Sequence, residues 1–118
     1  MSEIQNQAGH WLCSQLVRIG VRGGNSKAGL LEEITATTAE ISVDDPFEQG
    51  AVVSLLNLPV AISAEVTDFI VRETDFLVRL RFLDDYRWSP SEWLPSHAYE
   101  MKQAAKSAAA GQGDSSDQ

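Results

Sequence analysis

Apolar and polar side chains alternate with a period of two over much of this chain. In the first such stretch Val17, Ile19 and Val21 share one face, and Arg18 and Arg22 lie on the other. Successive side chains of a β-strand point to opposite faces, so this alternation predicts a half-buried strand. Further apolar stretches that predict strands follow at 30–34, 39–43, 51–56, 60–71 and 76–82.

Turn-forming residues lie between these stretches, and their spacing predicts the architecture. Gly23-Gly24-Asn25-Ser26 follows the first stretch, Asp44-Asp45-Pro46 follows the third, and Glu73-Thr74-Asp75 precedes the last. Glycine, asparagine and aspartate tolerate the backbone angles of tight turns, and proline interrupts a strand. Six short strands joined in this way predict a mainly β protein, as an antiparallel barrel or sandwich. A six-stranded closed barrel suits the length best, because closure removes exposed sheet edges.

The last hairpin has the cleanest alternation and allows a prediction of its register. If Thr74 and Asp75 are its two loop residues, Asp68 faces Arg81 across the hairpin and Phe69 faces Leu80. An exposed pair of opposite charges contributes only ~0.2–1 kcal/mol, so the apolar face sets this register.

Both ends of the chain differ from its middle. Residues 1–10 predict a flexible N-terminal arm and residues 11–98 the barrel domain. Ser89-Pro90 with Glu92 predicts a helical turn, which Pro95 interrupts. The segment after Ser96 is rich in helix-forming residues, so we expect a C-terminal α-helix over 99–110. Residues 111–118 contain only Gly, Gln, Asp and Ser, which predicts a disordered tail.

Charge and cysteine content narrow the classes of function. The 118 residues include 17 acidic and 9 basic side chains, a net charge of −8. A protein that binds long nucleic acid usually carries a basic stripe, so we expect no such partner. No apolar run reaches the ~18 residues that a membrane span needs, so membrane insertion is not expected. The single Cys13 and the absence of a signal-peptide pattern predict a cytoplasmic protein.

Candidate catalytic and metal-binding residues form no recognisable constellation. Cys13 has no spacing that pairs it with His10 or His97, and a free cysteine is usually a small apolar filler. The two Asp-Asp pairs, at 44–45 and 84–85, lie beside turn signals, so we interpret them as solvated turn residues rather than metal ligands. We therefore expect neither an enzyme nor a cofactor.

The arginines carry more information than the acids. Six of the nine basic residues are arginine, and all six lie between residues 18 and 87. Arg18 and Arg22 are four positions apart, which puts both side chains on one face of a strand. A guanidinium suits phosphate and guanine, but two such arginines can also simply solvate the outer face of an edge strand.

At this point the chain resembles the PilZ domain family over roughly residues 11–98. The resemblance lies in the order of a basic first strand, a glycine-rich turn, Leu31-Glu32-Glu33-Ile34-Thr35 with Ala39 after it, a turn at Pro46 and Gly50, a strand ending in Arg72-Glu73, and the stretch 76–82. It implies a six-stranded antiparallel barrel with a C-terminal helix, in a bacterial signalling module. Many members of the family bind cyclic di-GMP.

The family binds this nucleotide through an RxxxR segment and a [D/N]xSxxG segment. The first matches at Arg18 and Arg22, and the second falls on Glu33, Thr35 and Thr38, each of which departs from the family's residue. Thr38 replaces a glycine, which alone tolerates positive φ readily. With Arg72 as an additional candidate contact, these six residues are the candidate nucleotide-binding set.

Trp88 and Trp93 supply the alternative hypothesis. Together with Tyr86 they are three aromatics within eight residues. They can close one end of the barrel or form a contact for a protein partner, because tryptophan and tyrosine are frequent interface anchors. The chain is thus predicted to be a PilZ-like receptor for cyclic di-GMP, or a degenerate PilZ-like adaptor that acts through protein contacts. A barrel for single-stranded nucleic acid is a third hypothesis, disfavoured by the acidic charge.

Overall fold

The computed structural model describes residues 9–21 and 23–101. They form seven strands: β1 (His10–Val21), β2 (Ser26–Ile34), β3 (Thr38–Val43), β4 (Val52–Leu56), β5 (Ile62–Val71), β6 (Phe76–Phe82) and β7 (Tyr99–Met101). The first six make one antiparallel sheet in the order β2-β3-β6-β5-β4-β1, and β1 also pairs with β2. That last pairing closes the sheet into a six-stranded barrel, as the sequence predicts.

The alternating apolar side chains fill the inside of this barrel. Val17 and Ile19 of β1 are buried, and so are the inward positions of the other five barrel strands. No polar or charged residue is buried among the described residues. Burial of apolar area contributes roughly 25 cal/mol per Å², so this interior holds the six strands together.

The hairpin between β5 and β6 has a different register from the predicted one. Val71 pairs with Phe76, Asp68 pairs with Arg79 rather than Arg81, and Phe69 pairs with Val78 rather than Leu80. The loop therefore has four residues, 72–75, closed by a hydrogen bond from the Arg72 N–H to the Asp75 carbonyl. A β-bulge between Val66 and Asp68 adds one residue to β5, which shifts the pairing further.

The prediction of a helix over 99–110 is wrong where the structure describes the chain. Tyr99–Met101 form β7, which pairs antiparallel with the start of β1 from His10 to Leu12. Backbone pairing to this edge outweighs the local helix preference, because propensity is a weak term compared with tertiary context. Residues 102–110, the tail 111–118 and residues 1–8 of the arm lie outside the described part. Ser89–Glu92 forms a single hydrogen-bonded turn from the Glu92 N–H to the Ser89 carbonyl.

The two ends of the barrel are closed by different residues. At one end lies a group that we call the aromatic cap, formed by Trp11, Phe82, Tyr86, Trp88 and Trp93. At the other, which we call the hairpin end, Phe47 from the β3–β4 connection is buried and the β5–β6 hairpin extends. No helix in the described ranges is long and apolar enough to cross a membrane.

Candidate functional site

Arg18 lies on the outer face of β1, near the hairpin end. Its Nη2 donates to the Ser26 carbonyl at 3.0 Å and to Ser26 Oγ at 2.9 Å, and its Nε donates to the same hydroxyl at 3.2 Å. The side chain is therefore held against the first residue of β2. It has no carboxylate within ion-pair distance among the described residues, so its charge is not neutralised there. Arg22, the second arginine of the motif, lies outside the described residues.

Glu33, Thr35 and Thr38 lie at the opposite end, around the β2–β3 turn. Glu33 Oε2 is 2.5 Å from Nδ1 of His10. Thr35 Oγ1 accepts from the Thr38 backbone N–H at 3.0 Å, and the two threonine hydroxyls are 2.7 Å apart. Thr38 is not among the residues with positive φ, so this turn needs no glycine. The two threonines stabilise the turn through each other.

The two halves of the predicted nucleotide site are therefore far apart. Arg18 pairs with Ala28, whereas Glu33 pairs with Leu12. The five positions between residues 28 and 33 of β2 correspond to roughly 17 Å at ~3.3 Å per residue. The Arg18 guanidinium also contacts Ser26, which is further still from Glu33. The described residues of the set do not form one concave site.

Arg72 is bound by acids of this chain. It makes bidentate hydrogen bonds to Glu32, at 3.2 and 3.1 Å, and to Asp75, at 2.8 and 2.9 Å. These contacts raise the pKa of Arg72 further above its usual value, and the hydrogen bond from Arg72 holds the pKa of Asp75 below its usual range. An incoming phosphate would have to displace two carboxylates from this guanidinium.

Two more arginines are neutralised in the same way on the outer face of β6. Arg79 lies 3.2 Å from Glu40 and 3.8 Å from Asp68, and Arg81 forms an ion pair with Glu65. Arg79 and Arg81 thus form cross-strand ion pairs and do not make a basic patch. Exposed pairs of this kind are each worth at most ~1 kcal/mol.

Cys13, the candidate nucleophile, is half-buried against β2. Burial, followed by the charges of Glu32 and Glu33, raises the pKa of the Cys13 thiol to about 12, so the reactive thiolate is scarce near neutral pH. The thiol lies 3.5 Å from the Leu31 carbonyl. Within residues 9–21 and 23–101 there is no group of three or more His, Cys, Asp or Glu side chains arranged to hold a metal ion.

Trp88 and Trp93 are interior residues of the aromatic cap. Trp88 is 1% exposed, and its Nε1–H donates to the Trp93 carbonyl at 3.0 Å. The Trp93 Nε1–H donates to the Tyr86 hydroxyl at 3.2 Å, and that hydroxyl donates to Glu92 at 3.0 Å. Both indole N–H groups therefore have partners inside the fold, and neither ring is presented to a partner protein in this conformation.

Two exposed apolar surfaces were missed by the sequence analysis. The first, which we call the β1–β4 face, consists of the exposed Leu16, Val52 and Leu56 together with the half-buried Arg18, and Leu16 is 69% exposed. Its cross-strand pairing brings Arg18 opposite Leu56. The second is the far part of β5, where Phe69-Ile70-Val71 breaks the alternation with three consecutive apolar residues. That break in the alternation was the sequence signal for this surface, because a half-buried strand normally keeps one polar face.

Comparisons with known proteins find no family model, no curated protein and no solved structure that matches this chain. The barrel therefore rests on its own geometry, and the resemblance to the PilZ family rests on the order of its elements.

Proposed function

We propose that this chain is a PilZ-like, non-catalytic binding module that acts through protein–protein contacts and does not recognise cyclic di-GMP. The observation that carries the proposal is the separation of Arg18 from Glu33. Residues that would read one compact dinucleotide lie near opposite ends of the β1–β2 ladder. The PilZ likeness is supported by the six-stranded antiparallel barrel and the order of its elements.

The remaining described candidate residues already have partners within the chain, which supports the same conclusion. Glu33 is bound to His10, Thr35 and Thr38 bind each other, and Arg72 is held by two carboxylates. A ligand would have to replace these contacts, which costs binding free energy. Preorganised sites bind small molecules well because they avoid this cost.

The β1–β4 face is the surface that we assign to the protein partner. Leu16 and Leu56 offer apolar contact, and Arg18 lies on the same outer face, where it has hydrogen bonds to Ser26 but no ion pair with a carboxylate of the described residues. A partner surface with apolar side chains around one acidic residue would pair with both features. Arginine is enriched at the centres of protein interfaces.

A titration of the whole chain with cyclic di-GMP tests the nucleotide half of the proposal. Because the full chain includes Arg22, this measurement covers the complete candidate set. We expect no heat by calorimetry and no NMR shift at Arg18 or Glu33 with millimolar ligand. Saturable heat that disappears in both Arg18→Ala and Glu33→Ala variants would overturn the proposal.

Site-specific photo-crosslinking in the native cell tests the protein half. A photoreactive residue at Leu16 or at Leu56 is expected to give the same discrete adduct. The matched control is the same photoreactive residue at Arg87, which is exposed near the aromatic cap and should not give that adduct. Arg18→Glu should abolish the adduct while the circular dichroism spectrum stays unchanged. Equal adducts at all three positions, or none at 16 and 56, would contradict this assignment.

A further inference from the structure

The far part of β5 extends beyond its neighbour β4. Just before β4, the Gly50 N–H donates to the Val66 carbonyl and the Val66 N–H donates to the Ala51 carbonyl. The pairing of β5 with β4 covers only residues 62–65. From Thr67 to Val71 the strand is exposed, and no other described strand pairs with this edge.

The alternating directions of the backbone N–H and C=O groups along β5 show which of these groups face the open edge. The Arg72 N–H donates to Asp75, so the polar backbone groups of Arg72 point towards the β6 side of the hairpin. Neighbouring residues of a strand point these groups to alternate sides. Phe69 and Val71 therefore direct their N–H and C=O groups away from β6, along the open edge, whereas Ile70 directs its groups towards β6.

The side chains at this edge are apolar on both faces of the hairpin. Phe69 packs edge-on against Phe76 with ring centroids 5.9 Å apart, and Ile70 pairs with Leu77 on the other face. Ile70 is 40% exposed and Val71 is 67% exposed. Proteins usually protect an open edge with lysine or proline, and 67–71 contains neither. Such an edge is suited to pair with another strand.

We propose that this edge is covered by β5 of a second copy of the chain, paired antiparallel about a two-fold axis at Ile70. In that register Phe69 of one copy faces Val71 of the other, and every outward N–H and C=O of the two residues meets a complementary group. Ile70 faces Ile70 of the second copy, as a pair without backbone hydrogen bonds. Asp68 faces Arg72, so opposite charges and not like charges meet at the rim.

Neighbouring registers lack this complementarity. With the axis at Phe69, Asp68 of one copy would face Ile70 of the other; with the axis at Val71, Arg72 would face Ile70. Either register places a charge opposite an apolar side chain, which the Ile70 register avoids. Because Arg72 is already bound to Glu32 and Asp75, the rim charges select the register rather than add much affinity.

A second copy fits this edge better than a continuing fibre. A two-fold contact uses the same surface on both molecules and leaves no open strand after it forms. The product is one sheet that continues across the two copies, with the central strand order β3-β6-β5-β5-β6-β3. The surface is distinct from the β1–β4 face, so this inference does not depend on the proposed function.

The oligomeric state of the full chain tests the proposal. We expect sedimentation equilibrium at tens of micromolar to give twice the chain mass of 12.9 kDa. Ile70→Lys should shift it to the monomer, whereas Leu16→Lys, which alters the β1–β4 face, should leave the dimer intact. Val71→Pro removes only an outward N–H and should also give a monomer with an unchanged circular dichroism spectrum. A monomeric wild-type chain would overturn the proposal, whether the edge is then free or covered by another strand.

Disulfide trapping tests the register itself. Opposed residues without backbone hydrogen bonds have Cα atoms ~4.5 Å apart in an antiparallel pair, close enough for a disulfide. In a Cys13→Ser background, Ile70→Cys is therefore expected to give a covalent dimer on mild oxidation. Asp68→Cys is the matched control, because its opposite residue is Arg72 and no second thiol lies across from it. Equal trapping of both variants, or none of Ile70→Cys, would contradict the two-fold axis at Ile70. The photo-crosslinks from residues 16 and 56 are expected to persist in Ile70→Lys, so the two proposals fail separately.

Discussion

The aromatic cap and the β5–β6 hairpin lie at opposite ends of one barrel and differ in how far they bury their apolar side chains. In the cap, Trp88 is enclosed between Trp11 and Trp93 at ring-centroid distances of 6.2 and 6.1 Å. In the hairpin, Phe69 has one edge-on aromatic neighbour and is 38% exposed. Both segments carry large apolar residues. Only one of them completes its packing within the described chain.

Hydrogen bonding separates the two regions in the same way. The Trp88 and Trp93 indole N–H groups are both satisfied internally, and the Trp88 backbone N–H donates to the Ala36 carbonyl at 2.9 Å. The outward backbone groups of Phe69 and Val71 have no paired strand in the described structure. An aromatic-rich sequence is thus no evidence for a binding surface by itself, because burial and satisfied polar groups decide its role.

The largest effect is expected from truncating the cap. Trp88→Ala removes a fully buried ring and leaves a cavity, so it should lower the free energy of unfolding by about 3–5 kcal/mol. Phe69→Ala should lower the free energy of unfolding by about 1 kcal/mol. It is measured in an Ile70→Lys background, which keeps the chain monomeric. Urea unfolding followed by far-ultraviolet circular dichroism measures both. Equal losses would show that the hairpin is part of the core and would break the comparison.

A second, smaller effect is expected where the barrel wall approaches the hairpin end. A Cβ on Gly29 would lie 2.7 Å from Ile41 Cγ2 and 3.2 Å from the Ser42 carbonyl oxygen. Gly29→Ala should therefore destabilise the fold by ~1–3 kcal/mol through overpacking.

Gly24→Ala is the matched control for this glycine. Its added Cβ would meet the Val21 carbonyl oxygen at 3.7 Å, an ordinary contact, and its φ is not positive. Thermal unfolding of the two variants compares them directly. A harmless Gly29→Ala would mean that the wall, and not only the hairpin, is loosely packed at this end.

The barrel strands could be predicted from the sequence because each carries a period-two apolar face that the core requires. The early part of β1 could not, because residues 10–16 show no clean alternation. β7 also escaped prediction, since Tyr99–Met101 precedes a helix-forming segment and pairs with the start of β1, far away in the sequence. The hairpin register was wrong because a bulge and a four-residue loop held by Arg72 and Asp75 shift the pairing without any change in alternation.

The candidate site was less predictable than the fold. The spacing of Arg18 and Arg22 predicts a common face, but no spacing says which end of β2 a residue on β1 will meet. That depends on the long pairing of Arg18 with Ala28 and of Leu12 with Glu33. The role of Arg72 was likewise hidden, because its partner Glu32 is 40 residues away in the sequence.

The smallest expected effect concerns the tip of the hairpin, which is ordered by charge rather than by burial. The hydrogen bond from Arg72 lowers the pKa of Asp75 below its usual value of about 3.8. The contribution of this contact is therefore fully present above that usual value and is lost as the pH falls through the lower pKa of the folded chain. The Arg72 and Asp75 side chains are 35% and 26% exposed. Solvent therefore screens their contact, and the global free energy of unfolding should hardly respond. An NMR titration of the Asp75 carboxyl carbon should give a midpoint below 3.8 in the wild type and near 3.8 in Arg72→Gln. The same midpoint in both chains would show that Arg72 does not hold Asp75 at the tip. The hairpin tip would then differ from the aromatic cap in having no fixed side-chain contact between these two residues.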